Sequence, residues 1–189
     1  TSPTADITKV SLLDSAKLQE YDAELKMRRH KREGRKGKYL EAPLYTVNDA
    51  KEVFSRFRKV AYQQKIKLTK NIHATFFEAG HILGAAMIDM EVSEESRTQR
   101  IVFSGDIGRR GRPILKDPHV FEQADYVVME ATYGDRLHDD AESCMNRLKE
   151  VVVSTEERGG NIVIPTFAIE RTQELLYDLN RLLKDGLIP

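Results

Sequence analysis

With 189 residues, 40% of them apolar and 32% charged, the chain is long enough to bury a sizeable core and too apolar for a disordered tail. Thirty Lys and Arg balance thirty Asp and Glu, so any affinity for nucleic acid or a membrane has to come from a local cluster. One cysteine excludes an internal disulfide framework and fits a reducing compartment, and no apolar run approaches the roughly 18–20 residues that span a bilayer.

The first predicted element is a helix capped by Thr4 or Asp6, with Ile7, Val10, Leu13, Leu18, Tyr21 and Leu25 at roughly helical spacing and the pattern fading near Glu33-Gly34. From Lys26 to Lys38 the chain holds eight Lys or Arg against a single acid. This is either a solvated helix end, where cations are favourable, or a patch facing phosphates. Thr46 and Asp49 form a variant of the capping box for a second helix, with Val53, Phe54 and Phe57 as its buried side. Strands are predicted at 72–77, 85–92 and 100–103, separated by a Gly-containing loop and a polar turn at 93–98, and so close in sequence that they read as an antiparallel meander. The pattern then changes. An apolar run at 126–129 ends at Glu130, a helix is predicted over 140–155, a buried strand over 161–165 and a helix over 170–183. Alternation of this kind predicts βαβ units with a parallel sheet, the change falling near 134–140.

Three polar residues follow apolar strands beside glycine: His81 in Ala-Gly-His-Ile-Leu-Gly-Ala, Asp106 in Phe-Ser-Gly-Asp-Ile-Gly, and Glu130 in Met-Glu-Ala-Thr-Tyr-Gly-Asp. Strand ends are where α/β folds place sites, and glycine lets the backbone turn sharply and approach something compact. An imidazole and a carboxylate aimed from neighbouring strand ends are suitable ligands for Zn²⁺. Taken singly, a His in a Gly-flanked turn is more often a structural residue, and Ser-Gly-Asp is a common turn. His30, His73, His119 and His138 read as surface or structural residues, and Cys144 as packed within its helix.

The strings Glu78-Ala-Gly-His-Ile-Leu-Gly-Ala-Ala, Phe103-Ser-Gly-Asp-Ile-Gly-Arg, Met129-Glu-Ala-Thr-Tyr-Gly-Asp-Arg and Pro165-Thr-Phe-Ala-Ile-Glu-Arg-Thr-Gln-Glu occur in this order. In order and wording the chain resembles the β-CASP branch of the metallo-β-lactamase superfamily, RNA-processing metallohydrolases that include ribonuclease J and the cleavage-and-polyadenylation endonuclease. The segments Leu12-Leu13-Asp14-Ser15-Ala16 and Pro43-Leu44-Tyr45-Thr46 are similar to the family as well. The resemblance implies an α/β fold: a partial metallo-β-lactamase αββα sandwich over 1–135, followed by the start of an α/β β-CASP domain with parallel strands over 136–189. It implies that His81 binds one zinc and Asp106 bridges two, and that Glu130, counted among the catalytic residues by this likeness, orients a metal-ligand His. It further implies that Arg171 faces the nucleic-acid phosphates, although the family often has Gly at the position of Glu170. With that substrate in view, Arg28, Arg29, Arg32 and Arg35 become candidate RNA contacts.

The family's His-x-His-x-Asp-His string does not occur in this sequence. The expectation is that it lies before Thr1, that two later β-CASP histidines lie after Pro189, and that both ends are cuts in a longer protein. The implied activity of that protein is zinc-dependent hydrolysis of RNA phosphodiesters in the cytoplasm, with this segment alone inactive and a poor zinc binder. The alternatives are a non-catalytic β-CASP-like partner in an RNA-processing complex, or a hydrolase of DNA or small esters. No membrane partner is expected.

Overall fold

Strands β1 (Lys65–Lys67), β2 (Ile72–Glu78), β3 (Ala86–Glu94), β4 (Arg97–Phe103) and β5 (Tyr126–Val128) hydrogen-bond in that order in one sheet. The structure is a computed structural model and describes residues 1–189 apart from Leu40, Ser96, His138 and Asp139. Pairing is antiparallel from β1 to β4 and parallel between β4 and β5. Two antiparallel steps restore direction, so β2, β4 and β5 all run the same way and their C-terminal ends share one edge of the sheet.

The predicted meander is present, with β2 and β3 in register from Ile72↔Val92 to Glu78↔Ala86 and β3 and β4 from Ile88↔Phe103 to Glu94↔Arg97. Thr75, Asp89 and Val102 are register partners and form one buried row, with Met87 on the same face. A buried carboxylate needs a partner. Asp89 has Arg100, whose Nε donates at 2.8 and 2.9 Å and whose Nη2 donates at 2.7 Å. Strand β1 has too few residues to show an alternating pattern and was not foreseen.

Helix α1 (Ser2–Arg32) starts earlier than the apolar pattern indicates, with Thr1 as its cap. Its large apolar residues are not what it buries. Val10, Leu18, Tyr21 and Leu25 are exposed, and the buried stripe is Ala5, Ala16, Ala23 and His30. Those positions lie 11, 7 and 7 residues apart, close to whole turns, and alanine permits the near approach of the 41–47 segment and of α2 (Val47–Phe54). Gln19 and Glu20 accept from the Leu44 and Val47 N–H groups at 3.0 Å, and buried His30 is paired with Glu41. The capping box of α2 forms as predicted, but Ala50 is its buried residue; Val53 is exposed.

Helix α3 (Ala141–Glu157) is capped by Asp140 and leaves Cys144 exposed, not packed. Segment 161–165 is not a strand: among the described residues no β-strand of the sheet pairs with it, and Val163 is 90% exposed. The only parallel pair among the described residues is therefore β4–β5, joined by a loop and not by a helix. Helix α4 (Arg171–Lys184) completes the described α/β fold. Among the described residues no helix is long and apolar enough to cross a membrane. His73 lies in β2, His119 stacks on Phe77 at 4.3 Å, and His138 lies outside the described residues.

Candidate metal centre

Because β2, β4 and β5 end at one edge, the loops carrying His81, Asp106 and Glu130 meet there. His81 Nε2 lies 3.8 Å from Asp106 Oδ2, and the two side chains are 44% and 75% exposed. A tetrahedral zinc with bonds near 2.1 Å holds its ligand atoms about 3.4 Å apart. A neutral imidazole and an open carboxylate within a few tenths of an ångström of that spacing therefore fit the ion. Two such groups do not make a complete site: among the described residues no three His, Cys, Asp or Glu side chains gather closely enough to hold a metal.

The backbone around these two residues is fixed from several sides. Gly108 N–H donates to the Ala79 carbonyl at 2.8 Å, and a Cβ on Gly108 would lie 1.6 Å from the Gly80 oxygen. At Gly108 the His81 and Asp106 loops thus touch main chain to main chain, an approach that only glycine allows. On the far side, Thr1 and Thr4 hydroxyls donate to the Gly84 carbonyl at 3.0 and 2.6 Å, so the start of α1 seats the end of the His81 loop. The His119 N–H donates to the Glu78 carbonyl at 2.9 Å.

Glu130 faces this arrangement from the end of β5, and its backbone N–H donates to the buried Ser104 hydroxyl at 3.1 Å. Its carboxylate accepts from Ile107 N–H at 2.5 Å and from the Thr132 hydroxyl at 2.7 Å. In this structure Glu130 therefore grips the residue next to Asp106. The Ile107 N–H, then the Thr132 hydroxyl, and to a lesser degree His81 favour its charged form and hold its pKa below the usual 4.5. A depressed folded pKa stabilises the loop fully above the unfolded value, and this stabilisation is lost as pH falls through the folded one. Ile107 amide protection should hold from about pH 8 to about pH 5 and weaken only below about 4.3. Glu130→Gln should remove that acid-dependent step in an exchange measurement, and an unchanged step would contradict the assignment.

The arginines divide. Arg171, in the first turn of α4, is half exposed and pairs with Glu174 at 3.2 Å. Arg28, Arg29, Arg32 and Arg35 are all exposed. Arg28 pairs with Glu24 at 2.5 Å and Arg35 with Glu33 at 2.6 Å. The start of α1 sits on the His81 loop and Arg28 lies 24 residues along it, about 36 Å away at 1.5 Å per residue. The structure does not bring the basic stretch to the metal-ligand pair. Sequence reading missed Ser104, Arg112 and Glu174 and noted Glu170 only as an acid where the family often has Gly; Ser104 had a legible signal, being the residue before Gly105-Asp106.

No family model matches the chain. A ribonuclease of Thermus thermophilus is 36% identical over 142 residues, 75% of this chain and 32% of the relative. An RNase J-like protein of Methanocaldococcus jannaschii is 33% identical over 145 residues, 75% of this chain and 34% of that protein. Subunit 3 of the cleavage and polyadenylation specificity factor of Dictyostelium discoideum is 33% identical over 138 residues, 72% of this chain and 17% of that protein. The chain thus spans about a third or less of the length of these curated relatives. Identities of about one third over about three quarters of the chain, added to four motifs in order, settle its family: the chain belongs to the β-CASP family of metallo-β-lactamase-fold proteins.

Proposed function

We propose that the chain is part of a metal-dependent nuclease that cleaves RNA phosphodiester bonds, with His81 and Asp106 as zinc ligands. The observation that carries this reading is the 3.8 Å approach of His81 Nε2 to Asp106 Oδ2, both open to solvent, in a chain whose relatives are named ribonucleases. Two zinc ions would supply Lewis acidity toward a phosphate oxygen and activation of the attacking water. The chain's own residues do the rest that concerns it. His81 would offer a lone pair from a ring nitrogen. Asp106 offers two carboxylate oxygens, enough to reach two ions. Glu130 holds the Ile107 N–H and thereby the backbone from which Asp106 projects. A non-catalytic scaffold has no need to gather these three groups at one edge. The test is cleavage of end-labelled RNA by the full-length protein, with zinc and after chelation. Zinc-dependent shortening supports the reading, and equal cleavage after exhaustive chelation contradicts it. The cytoplasm is our proposed location, in keeping with a single free cysteine.

We further propose that Arg28, Arg29, Arg32 and Arg35 hold the RNA backbone far from the cleavage point. At the per-strand rise of ~3.4 Å, about ten nucleotides would bridge the distance to the His81 loop. Changing all four to Ser should raise the Kd and flatten the salt dependence of binding by about 0.7 per lost contact on single strands. The loss should be alike for unrelated sequences, since phosphate contacts position without reading bases. An unaltered salt slope would leave these residues as a solvated helix end.

A further inference from the structure

Helix α4 begins on a backbone turn that few side chains accept. Glu170 has φ 68° and ψ −60°, and the Arg171 N–H donates to the Ile169 carbonyl at 2.9 Å, a strained γ-turn. A non-glycine residue stays in such a conformation only where its surroundings over-determine it. The hydrogen bond its carboxylate accepts comes from the His81 loop. Glu170 is 5% exposed, and its Oε2 accepts at 3.4 Å from the N–H of Leu83, two residues beyond His81. Its Oε1 is buried and has no hydrogen-bond partner among the described residues. One turn further along α4, Glu174 receives the Arg112 guanidinium through both carboxylate oxygens. Arg112 lies six residues after Asp106, and the side chains of this pair are 11% and 8% exposed.

We propose that Glu170 and Glu174 are positioning residues. The first turn of α4 holds the His81 loop with one carboxylate and the Asp106 loop with the other, and so sets the separation of the two metal donors. The inference rests on the reading of His81 and Asp106 as metal ligands. A charged, bidentate, buried pair gives a fixed distance where a surface pair would not. The positive φ at Glu170 directs its carboxylate under the His81 loop, and the buried contact there holds the strained turn.

The test uses Glu170→Gly, Glu170→Gln and Glu174→Gln in the full-length protein, with Arg112→Lys in reserve should Glu174→Gln fail to fold. Zinc affinity is read by competition with a chelating dye, ligand geometry by the d–d spectrum of the cobalt-substituted protein, and loop order by amide exchange of residues 81–85 without metal. Glu170→Gly relieves the turn, so Tm should hold or rise, yet zinc affinity should fall about tenfold, as for loss of a group that orients a ligand. Leu83 should then exchange faster. Glu170→Gln keeps an acceptor and should stay within about threefold of the parent. Glu174→Gln, or Arg112→Lys with its lost fork, should weaken zinc about tenfold and shift the cobalt spectrum. Parental zinc affinity and Leu83 exchange in Glu170→Gly would overturn the proposal, as would affinity losses that merely follow Tm across the set. Failure of the metal reading is separable: His81→Ala with parental zinc affinity would refute that reading, while Leu83 exchange in metal-free protein still judges the clamp.

Discussion

Replacing His81 or Asp106 by Ala in the full-length protein should each lower RNA hydrolysis by well over a hundredfold while Tm stays nearly unchanged. The side chains are 44% and 75% open to solvent, so truncation leaves no cavity and removes little packing, and surface changes of this kind usually stay within about 0.5 kcal/mol. The hydrogen bond that joins the loops, Gly108 N–H to the Ala79 carbonyl, is main chain and survives both changes. On the proposed reading, what is lost is a donor to the metal. Removing a residue that merely orients a ligand costs about 10–100-fold, so removal of a ligand itself should cost more. Zinc content per chain, turnover and Tm measured on the same preparations separate this from misfolding. Wild-type turnover in either variant contradicts the assignment.

The second large effect is expected at a residue with no side chain. A Cβ on Gly108 would lie 1.6 Å from the Gly80 oxygen and 2.7 Å from the His81 nitrogen, both backbone atoms that cannot rotate aside. Gly108→Ala must therefore drive the Asp106 loop away from the His81 loop. It should cost about 1–3 kcal/mol or more, in the range of overpacked interiors, and should abolish zinc binding. Gly111→Ala is the control from the same loop. Gly111 has φ +71°, and a Cβ there would meet nothing within 4 Å, so the substitution should cost about 1–2 kcal/mol of backbone strain and leave zinc bound. Equal zinc affinity in the two variants would mean that the Gly108–Gly80 contact does not set the site.

The sequence carried the site further than it carried the packing. His81, Asp106 and Glu130 each stand at the end of an apolar run beside glycine, and three closely spaced β segments read as a meander, so strand direction alone sends all three to one edge. The parallel β4–β5 pair then brings Glu130 to the Ile107 N–H. Arg112 and Glu174 were beyond reach because 62 residues separate them and neither follows a pattern of period 2 or 3.6. Glu170 stood out only as an acid where the family often has Gly; its φ of 68° accounts for the glycine. In α1 the apolar periodicity misled, since helix contact is made by the smaller Ala5, Ala16 and Ala23. At 161–165 a β-rich run has no strand partner among the described residues, and strand formation needs a neighbour as well as propensity.

Whether His81 and Asp106 are metal ligands can be read straight from anomalous diffraction at the zinc edge, using crystals of the full-length protein. An anomalous peak is expected about 2.1 Å from His81 Nε2 and about 2.0–2.2 Å from an Asp106 carboxylate oxygen. Zinc bound elsewhere in the protein, with both of these side chains free of it, would refute their assignment as ligands.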